Sequence, residues 1–277
     1  MKRTKMIATV GPVTETEEKL KELYDAWVNI IRFNFSHANY EVTSQIANRV
    51  KKLNSEGKTN LSLLLDTKGP EIRTWDVKEK IKLTSGDSIK VYVNKELCTD
   101  DAIFCDYPYL LEDLDIGDTL IVDSWLCNIV VKEKFDNYLI WTALNTCELG
   151  NRRHINLPWV KLKLPWITDK DRQDVMYAIE NDFDFIAMSF VRNKENIAEL
   201  RTLLKEHNAE HIKIISKVEN QEAIENLDEI IENSDWVMAA RWDLWVEVPV
   251  EKLPFYQKQI VDKCIAHGKF FVIATHM

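Results

Sequence analysis

The chain has 277 residues, with 36 Lys and Arg against 45 Asp and Glu for a formal net charge of −9. An acidic balance argues against a nucleic-acid partner, whose electrostatic footprint is basic, and leaves anionic small molecules open because local constellations bind those. Hydrophobic residues at 45% and charged residues at 29% suit a globular protein with a buried core, and no stretch approaches the roughly 20 apolar residues of a membrane span.

The start, Met1-Lys2-Arg3-Thr4-Lys5, has the charge of a signal peptide, but the apolar run behind it ends at Gly11-Pro12, too soon for one. Short continuous apolar runs follow at 5–10, 28–35, 61–66, 184–190, 212–218, 236–240 and 270–275, the pattern of buried parallel strands. Between most of them, apolar residues recur at three- and four-residue spacing over 16–26, 42–53, 170–180, 194–207, 221–233 and 251–267, which predicts helices. Thr14 or Thr16, Asn193 and Asn220 offer cap chemistry at three of the starts. Alternation of this kind predicts an α/β fold on a parallel sheet, open or closed.

The rhythm breaks between about 74 and 165. Segments 80–83, 88–93, 119–122, 129–134 and 138–144 alternate apolar and polar residues and are separated by Gly86-Asp87, Gly117-Asp118 and Asp136-Asn137, so a small antiparallel β domain is predicted inside the α/β pattern. The five cysteines, Cys98, Cys105, Cys127, Cys147 and Cys264, are odd in number and lack C-x-x-C spacing, and predict neither a disulfide framework nor a zinc site. A cytoplasmic location is the simplest expectation.

Several stretches carry a more specific signal: Thr9-Val10-Gly11-Pro12, Arg32-Phe33-Asn34-Phe35-Ser36-His37, Leu65-Asp66-Thr67-Lys68-Gly69-Pro70-Glu71-Ile72-Arg73-Thr74, Met188-Ser189-Phe190-Val191-Arg192, Ile215-Ser216-Lys217-Val218-Glu219-Asn220-Gln221 and Ala274-Thr275. In their order they resemble the pyruvate kinases. The resemblance implies a TIM (β/α)8-type barrel with an antiparallel β-barrel domain inserted after strand three. The pieces are 1–73 (barrel, first part), 74–165 (insertion) and 166–277 (barrel, second part). It implies further that the last barrel strand and a C-terminal regulatory domain are not within these 277 residues.

The residues themselves suggest the chemistry. Lys217, Glu219 and Asp243 fall at the carboxyl ends of the fifth and sixth apolar runs, the face where a TIM barrel places its site. Two carboxylates there suit a hard divalent cation that keeps oxygens of its substrate as further ligands, and a neighbouring Lys suits phosphoryl transfer, which needs positive charge around the moving group. Standing alone, such residues would read as loop, cap or snorkelling side chains; the Ser-Lys-Val-Glu-Asn context weighs against that.

By resemblance, Glu219 and Asp243 hold Mg²⁺ (or Mn²⁺), and Asn34, Ser36, Asp66 and Thr67 hold K⁺, with Glu71 marking the K⁺-dependent type. Lys217, Arg73 and Thr275 are then catalytic, and Arg32, Lys217, Trp242, Asp243 and Thr275 surround phosphoenolpyruvate. Asn34, His37 and Arg73, with Lys170 as a weaker addition, lie near the ADP phosphates. The whole protein is expected to be a homotetramer with no nucleic-acid or membrane partner. Two alternatives stay open: a related metal-dependent barrel enzyme acting on enolpyruvate or oxoacids, and a non-catalytic or inactive truncated variant.

Seven of the nine tryptophans, Trp27, Trp75, Trp125, Trp159, Trp236, Trp242 and Trp245, stand where the family has glycine. Ordinary glycine usage of about 7% would give about 19 residues against the 7 present, so the glycine deficit and the tryptophan excess share positions. Random decay would bring in many residue types, and indole is the poorest substitute at a tight turn. A UGA codon meaning glycine but read as tryptophan accounts for one recurring residue. Trp27 is expected at a left-handed helix cap, Trp125 in a hairpin turn, and Trp242 and Trp245 at a sharp turn with positive φ whose amides would receive an anion.

Overall fold

The apolar runs become strands of one sheet in the computed structural model, which describes residues 4–74, 79–99, 102–123 and 126–274. The first part contains β1 (Met6–Thr9), α1 (Glu17–Asp25), β2 (Val28–Asn34), α2 (Tyr40–Ser55) and β3 (Ser62–Asp66). The middle contains β4 (Ile72–Arg73), β5 (Ile81–Leu83), β6 (Ser88–Tyr92), β7 (Ile103–Phe104), α3 (Leu110–Asp113), β8 (Thr119–Val122), β9 (Cys127–Lys134), β10 (Tyr138–Ala143), β11 (Cys147–Leu149) and β12 (His154–Asn156). The α/β pattern resumes with α4 (Asp169–Glu180), β13 (Phe185–Met188), α5 (Lys194–Glu206), β14 (Lys213–Val218), α6 (Gln221–Glu225), α7 (Leu227–Asn233), β15 (Trp236–Ala240), α8 (Arg241–Glu247), α9 (Leu253–Ala266) and β16 (Phe270–Ala274).

The main sheet runs in the order β1-β2-β3-β13-β14-β15-β16, with every neighbouring pair parallel. One face packs against the helices through a large core that includes Leu20, Val50, Leu63, Leu65, Val175, Leu204, Ile214, Val218 and Ile260. The other face carries a smaller cluster of Ile30, Leu64, Ala187, Ile215 and Met238. Sheet and helices fit an α/β barrel.

The segment between β3 and α4 forms a seven-stranded sheet, β4-β12-β8-β9-β10-β6-β7, and a two-stranded one, β11-β5. Most pairings are antiparallel, and β6 and β7 run parallel. A separate core centred on Trp141, Leu120, Ile129 and Leu139 fills it. Alternation along β10 fits this core, since Leu139, Trp141 and Ala143 are buried and the residues between them are less so.

Local chemistry sets most boundaries. Thr16, Asn193 and Asn220 cap α1, α5 and α6, each side-chain oxygen accepting a backbone N–H of the first turn. Thr14 instead closes the turn at Gly11. Thr168 and Asp171 form a reciprocal capping box on α4.

Three expectations are corrected. The helix predicted over 221–233 divides at Asn226, whose backbone leaves the helical region while its amide donates to the Arg192 carbonyl at 2.9 Å. Trp242 and Trp245 stand in α8 and are absent from the positive-φ residues. A hydrogen-bonded turn of helix satisfies that corner of the backbone, and the two indoles pack edge to face at 5.2 Å. Cys127 and Cys147 form a disulfide, because β9 of the larger sheet and β11 of the two-stranded one pack together and bring within 5.4 Å two Cα atoms that are 20 residues distant in the chain.

Trp27 has φ +74° and Trp159 has φ +71°, the left-handed backbone that favours glycine. Trp236 lies within β15, tilted between Phe185 and Phe270. Trp75, Trp125 and Thr275 lie outside the described residues.

Candidate functional site

Strand periodicity builds the site. Side chains on a strand alternate faces, so the residue two positions beyond each member of the inner apolar cluster points the same way. Ile30 is followed by Arg32, Leu64 by Asp66, Ala187 by Ser189 and Ile215 by Lys217. A polar layer therefore lies above an apolar one, at the carboxyl ends of the parallel strands. Thr9, two residues after Ile7, joins it.

The layer is closely bonded. Lys217 Nζ is 2.9 Å from Glu219 Oε1 and 3.1 Å from Asp66 Oδ1, and it donates to Ser189 Oγ at 2.8 Å. Arg32 Nε donates to Asp66 Oδ2 at 2.6 Å, and its Nη1 to Thr9 Oγ1 at 2.7 Å. The Phe190 backbone N–H donates to Glu219 Oε2 at 2.7 Å. The Ser189 backbone N–H and hydroxyl donate to Thr67 Oγ1 and the Thr67 carbonyl. Asp66, Thr67, Ser189, Lys217 and Glu219 are all buried.

A cavity of about 310 Å³ opens onto this layer, lined by Thr9, Arg32, Asp66, Lys217, Trp242 and Asp243 among others. Burial works against the Lys217 ammonium, but Glu219 and Asp66 outweigh it and hold its pKa above the ordinary value. Glu219 is displaced upward: burial dominates, and the nearby Asp243 charge adds to it against the pull of Lys217. Positive charge is thus fixed at the cavity floor, with Asp243 at its rim on the first turn of α8.

Asn34, Ser36, Asp66 and Thr67 fall on the adjoining ends of β2 and β3. Asn34 Oδ1 accepts the Ser36 backbone N–H at 3.1 Å, and both Asp66 oxygens are engaged by Arg32 and Lys217. His37 is exposed nearby. Arg73 sits at the junction with the second sheet, held by Glu71 at 2.6 Å and donating to the Arg152 carbonyl at 3.0 Å; it does not line the cavity above Lys217. Lys170 is paired with buried Asp174 at 2.6 Å.

The donor chemistry fits a divalent cation better than a monovalent one. Glu219, just past the end of β14, and Asp243, on the first turn of α8, bring two carboxylate groups, and among the described residues Glu219 accepts from one ammonium and one amide. The Asn34, Ser36, Asp66 and Thr67 oxygens are a mixed neutral and anionic set of the right type, but the sole carboxylate among them already faces two cations. Among the described residues no cluster of three or more His, Cys, Asp or Glu is placed to hold a metal.

Ser189 and Thr9 received no role in the sequence reading, although two-residue spacing from Ala187 and Ile7 marks both. Glu247, which accepts from Asn156 Nδ2 at 2.8 Å, had no such signal.

A parallel βα sheet with its polar cavity at the carboxyl ends of the strands is the arrangement of the (β/α)-barrel enzymes. The family model described as pyruvate kinase, barrel domain, matches residues 1–277, and the chain belongs to that family. It is similar to pyruvate kinases from Bacillus licheniformis and Geobacillus stearothermophilus, each 40% identical over 280 residues, and from Staphylococcus epidermidis, 41% identical over 280 residues. Each comparison covers 100% of this chain and 48% of the relative, so the chain spans about half the length of the curated relatives it matches. Among the described residues no helix is long and apolar enough to cross a membrane.

Proposed function

We propose that the chain forms the catalytic barrel portion of a phosphotransferase that moves the phosphoryl group of phosphoenolpyruvate to ADP, giving pyruvate and ATP. The observation that carries this reading is the Lys217 ammonium, kept charged by Asp66 and Glu219 at the floor of a cavity that Arg32 also lines. Fixed cations at the point where a phosphoryl group passes between oxygens stabilise its spreading charge.

In this reading Glu219 and Asp243 hold Mg²⁺ or Mn²⁺, while Asn34, Ser36, Asp66 and Thr67 hold K⁺. The ions, when bound, supply charge neutralisation to the phosphoryl and carboxylate oxygens. Lys217 neutralises the phosphoryl group in flight and Arg32 orients it, with Trp242 and Asp243 beside phosphoenolpyruvate. Arg73 approaches from the junction with the second sheet, His37 and Asn34 lie toward ADP, and Thr275 is assigned to protonation of the enolate. Segments 1–73, 74–165 and 166–277 serve as barrel, inserted β-barrel domain and barrel again. The whole protein is read as a cytoplasmic homotetramer without nucleic-acid or membrane partners.

The test is ATP formation from phosphoenolpyruvate and ADP with Mg²⁺ and K⁺, measured on the complete gene product. Glu219→Gln and Lys217→Met are expected to lower the rate by about 10²-fold or more, and replacement of K⁺ by Na⁺ to slow it severely. Activity unchanged in Glu219→Gln would exclude the divalent site, and equal rates in Na⁺ would exclude the Asn34, Ser36, Asp66 and Thr67 cluster.

A further inference from the structure

The chain passes between the barrel and the second sheet twice, outward after β3 and back between β12 and α4. The outward crossing starts from a fixed point. Thr67 donates its N–H to the Ala187 carbonyl at 3.0 Å, and Ser189 bonds both its hydroxyl and its carbonyl. Gly69 follows with φ +72°, and its N–H donates at 3.0 Å to Asp171 Oδ1, which is 102 residues away in the chain. Past Gly69, the hydrogen bonds of the crossing among the described residues stay within it or go to the second sheet. The Arg73 N–H donates to Asp106 at 2.8 Å, its guanidinium to Glu71 and the Arg152 carbonyl, and the Thr74 N–H to the Arg153 carbonyl. Gly69 is thus the last backbone group that the barrel holds before the chain reaches Arg73.

Asp171 lies in the first turn of α4 and is only 3% exposed. Its Oδ2 accepts the Thr168 N–H at 3.1 Å and the Thr168 hydroxyl at 2.6 Å, which ends the returning crossing and starts the helix. A capping box of this kind uses one oxygen of the side chain, and here the other oxygen is given to Gly69. One buried carboxylate therefore gathers three donors and ties the outward crossing, the returning crossing and α4 at a single point. An amide could not serve both arms: with its oxygen toward Thr168, its NH₂ would face the Gly69 N–H, donor against donor.

We propose that Asp171 is a positioning residue for phosphoryl transfer, acting through Gly69 to set the Arg73 guanidinium against the Lys217 ammonium. Arg73 stands on β4 of the second sheet and Lys217 on β14 of the barrel, so their separation is decided by how the outward crossing leaves the barrel. That departure is what the Asp171 carboxylate fixes. The inference rests on the phosphoryl-transfer reading and adds to it the group that holds its two cations in register.

The test is the steady-state rate of ATP formation by the complete gene product. Asp171→Asn is expected to lower kcat about tenfold while leaving the KM for phosphoenolpyruvate within about twofold, since Arg32 and Lys217 do not lie on the crossing. In an Arg73→Ala background the same substitution should cost less than about twofold, because no guanidinium remains to be placed. Asp171→Glu keeps the helix cap without the second arm to Gly69; it should behave as Asp171→Asn does, and it decides the matter if Asp171→Asn does not fold. Thr16→Ala, which removes the cap of α1, should leave kcat unchanged. An undiminished kcat in both Asp171 variants, an equal loss with and without Arg73, or a matching loss in Thr16→Ala would each overturn the inference and leave the phosphoryl-transfer reading standing. Full activity in Arg73→Ala would instead remove Arg73 from that reading, and the inference with it.

Discussion

Lys217 and Glu219 are paired at 2.9 Å in the interior of the protein, and the same ammonium also meets Asp66 at 3.1 Å. Removing the cation would strand Glu219 in a place that water scarcely reaches and leave Asp66 with Arg32 alone. Lys217→Met is therefore expected to cost about 3–5 kcal/mol of stability, read from urea unfolding at neutral pH, with Glu219→Gln in the same background restoring part of it. A loss below about 1 kcal/mol would mean that the pair is far better solvated than its burial indicates.

Gly69 has φ +72°, and a Cβ built there would lie 2.8 Å from Ser189 Cβ and 2.9 Å from Phe190 Cδ2. Both neighbours hold the site, Ser189 through Lys217 and Phe190 through Glu219. Gly69→Ala should destabilise the protein by about 2 kcal/mol or more, combining left-handed strain with overpacking. Chemical denaturation measures it directly, and a change within about 0.5 kcal/mol would show that the loop yields freely.

Glu247 gives a pH dependence. Burial pushes its carboxyl from the ordinary 4.5 up to about 7, with the Asn156 amide pulling the other way. Below pH 4.5 both folded and unfolded states are protonated there and the full stability is present. As pH rises to 7 the unfolded state ionises first, so stability falls by about 3 kcal/mol across that window. Melting temperatures of Glu247→Gln should follow a flatter curve between pH 4.5 and 7; parallel curves would refute the assignment.

The tryptophans divide by backbone. Trp27→Gly relieves φ +74° at a side chain 57% exposed and should stabilise by about 1 kcal/mol. Trp236→Gly removes a ring set 4.9 Å from Phe185 and 5.1 Å from Phe270 and should destabilise. The codons at Trp27, Trp75, Trp125, Trp159, Trp236, Trp242 and Trp245 are expected to be UGA, with glycine in peptides from the source organism by mass spectrometry. UGG at most of them would make these true tryptophans.

The parallel strands were legible because each is a short, continuous apolar run, and the helices because their buried stripes recur every three or four residues. Strands β4, β7, β11 and β12, of two or three residues each, carry too few positions for a period to register. Helix α8 escaped notice because the glycine expectation at Trp242 and Trp245 pointed to a turn, where a hydrogen-bonded helix forms instead. Lys217, Asp66 and Arg32 could be placed at strand ends from sequence, but their mutual bonding depends on which strands neighbour one another. The Cys127 and Cys147 pairing was hidden for the same reason, since it follows from the packing of β9 and β11, which belong to different sheets.

The stacking of the polar layer on the apolar one ties chemistry to strand register. A slip of β14 by one residue would turn Lys217 toward the helices and bring Ser216 or Val218 to face the cavity. Such a slip would bury a charge among Ile214 and its neighbours while leaving Asp66 without its ammonium. Lys217 thus acts as a proofreader of folding: the arrangement that satisfies its charge is also the one that seats Ile214 and Val218 in the outer core.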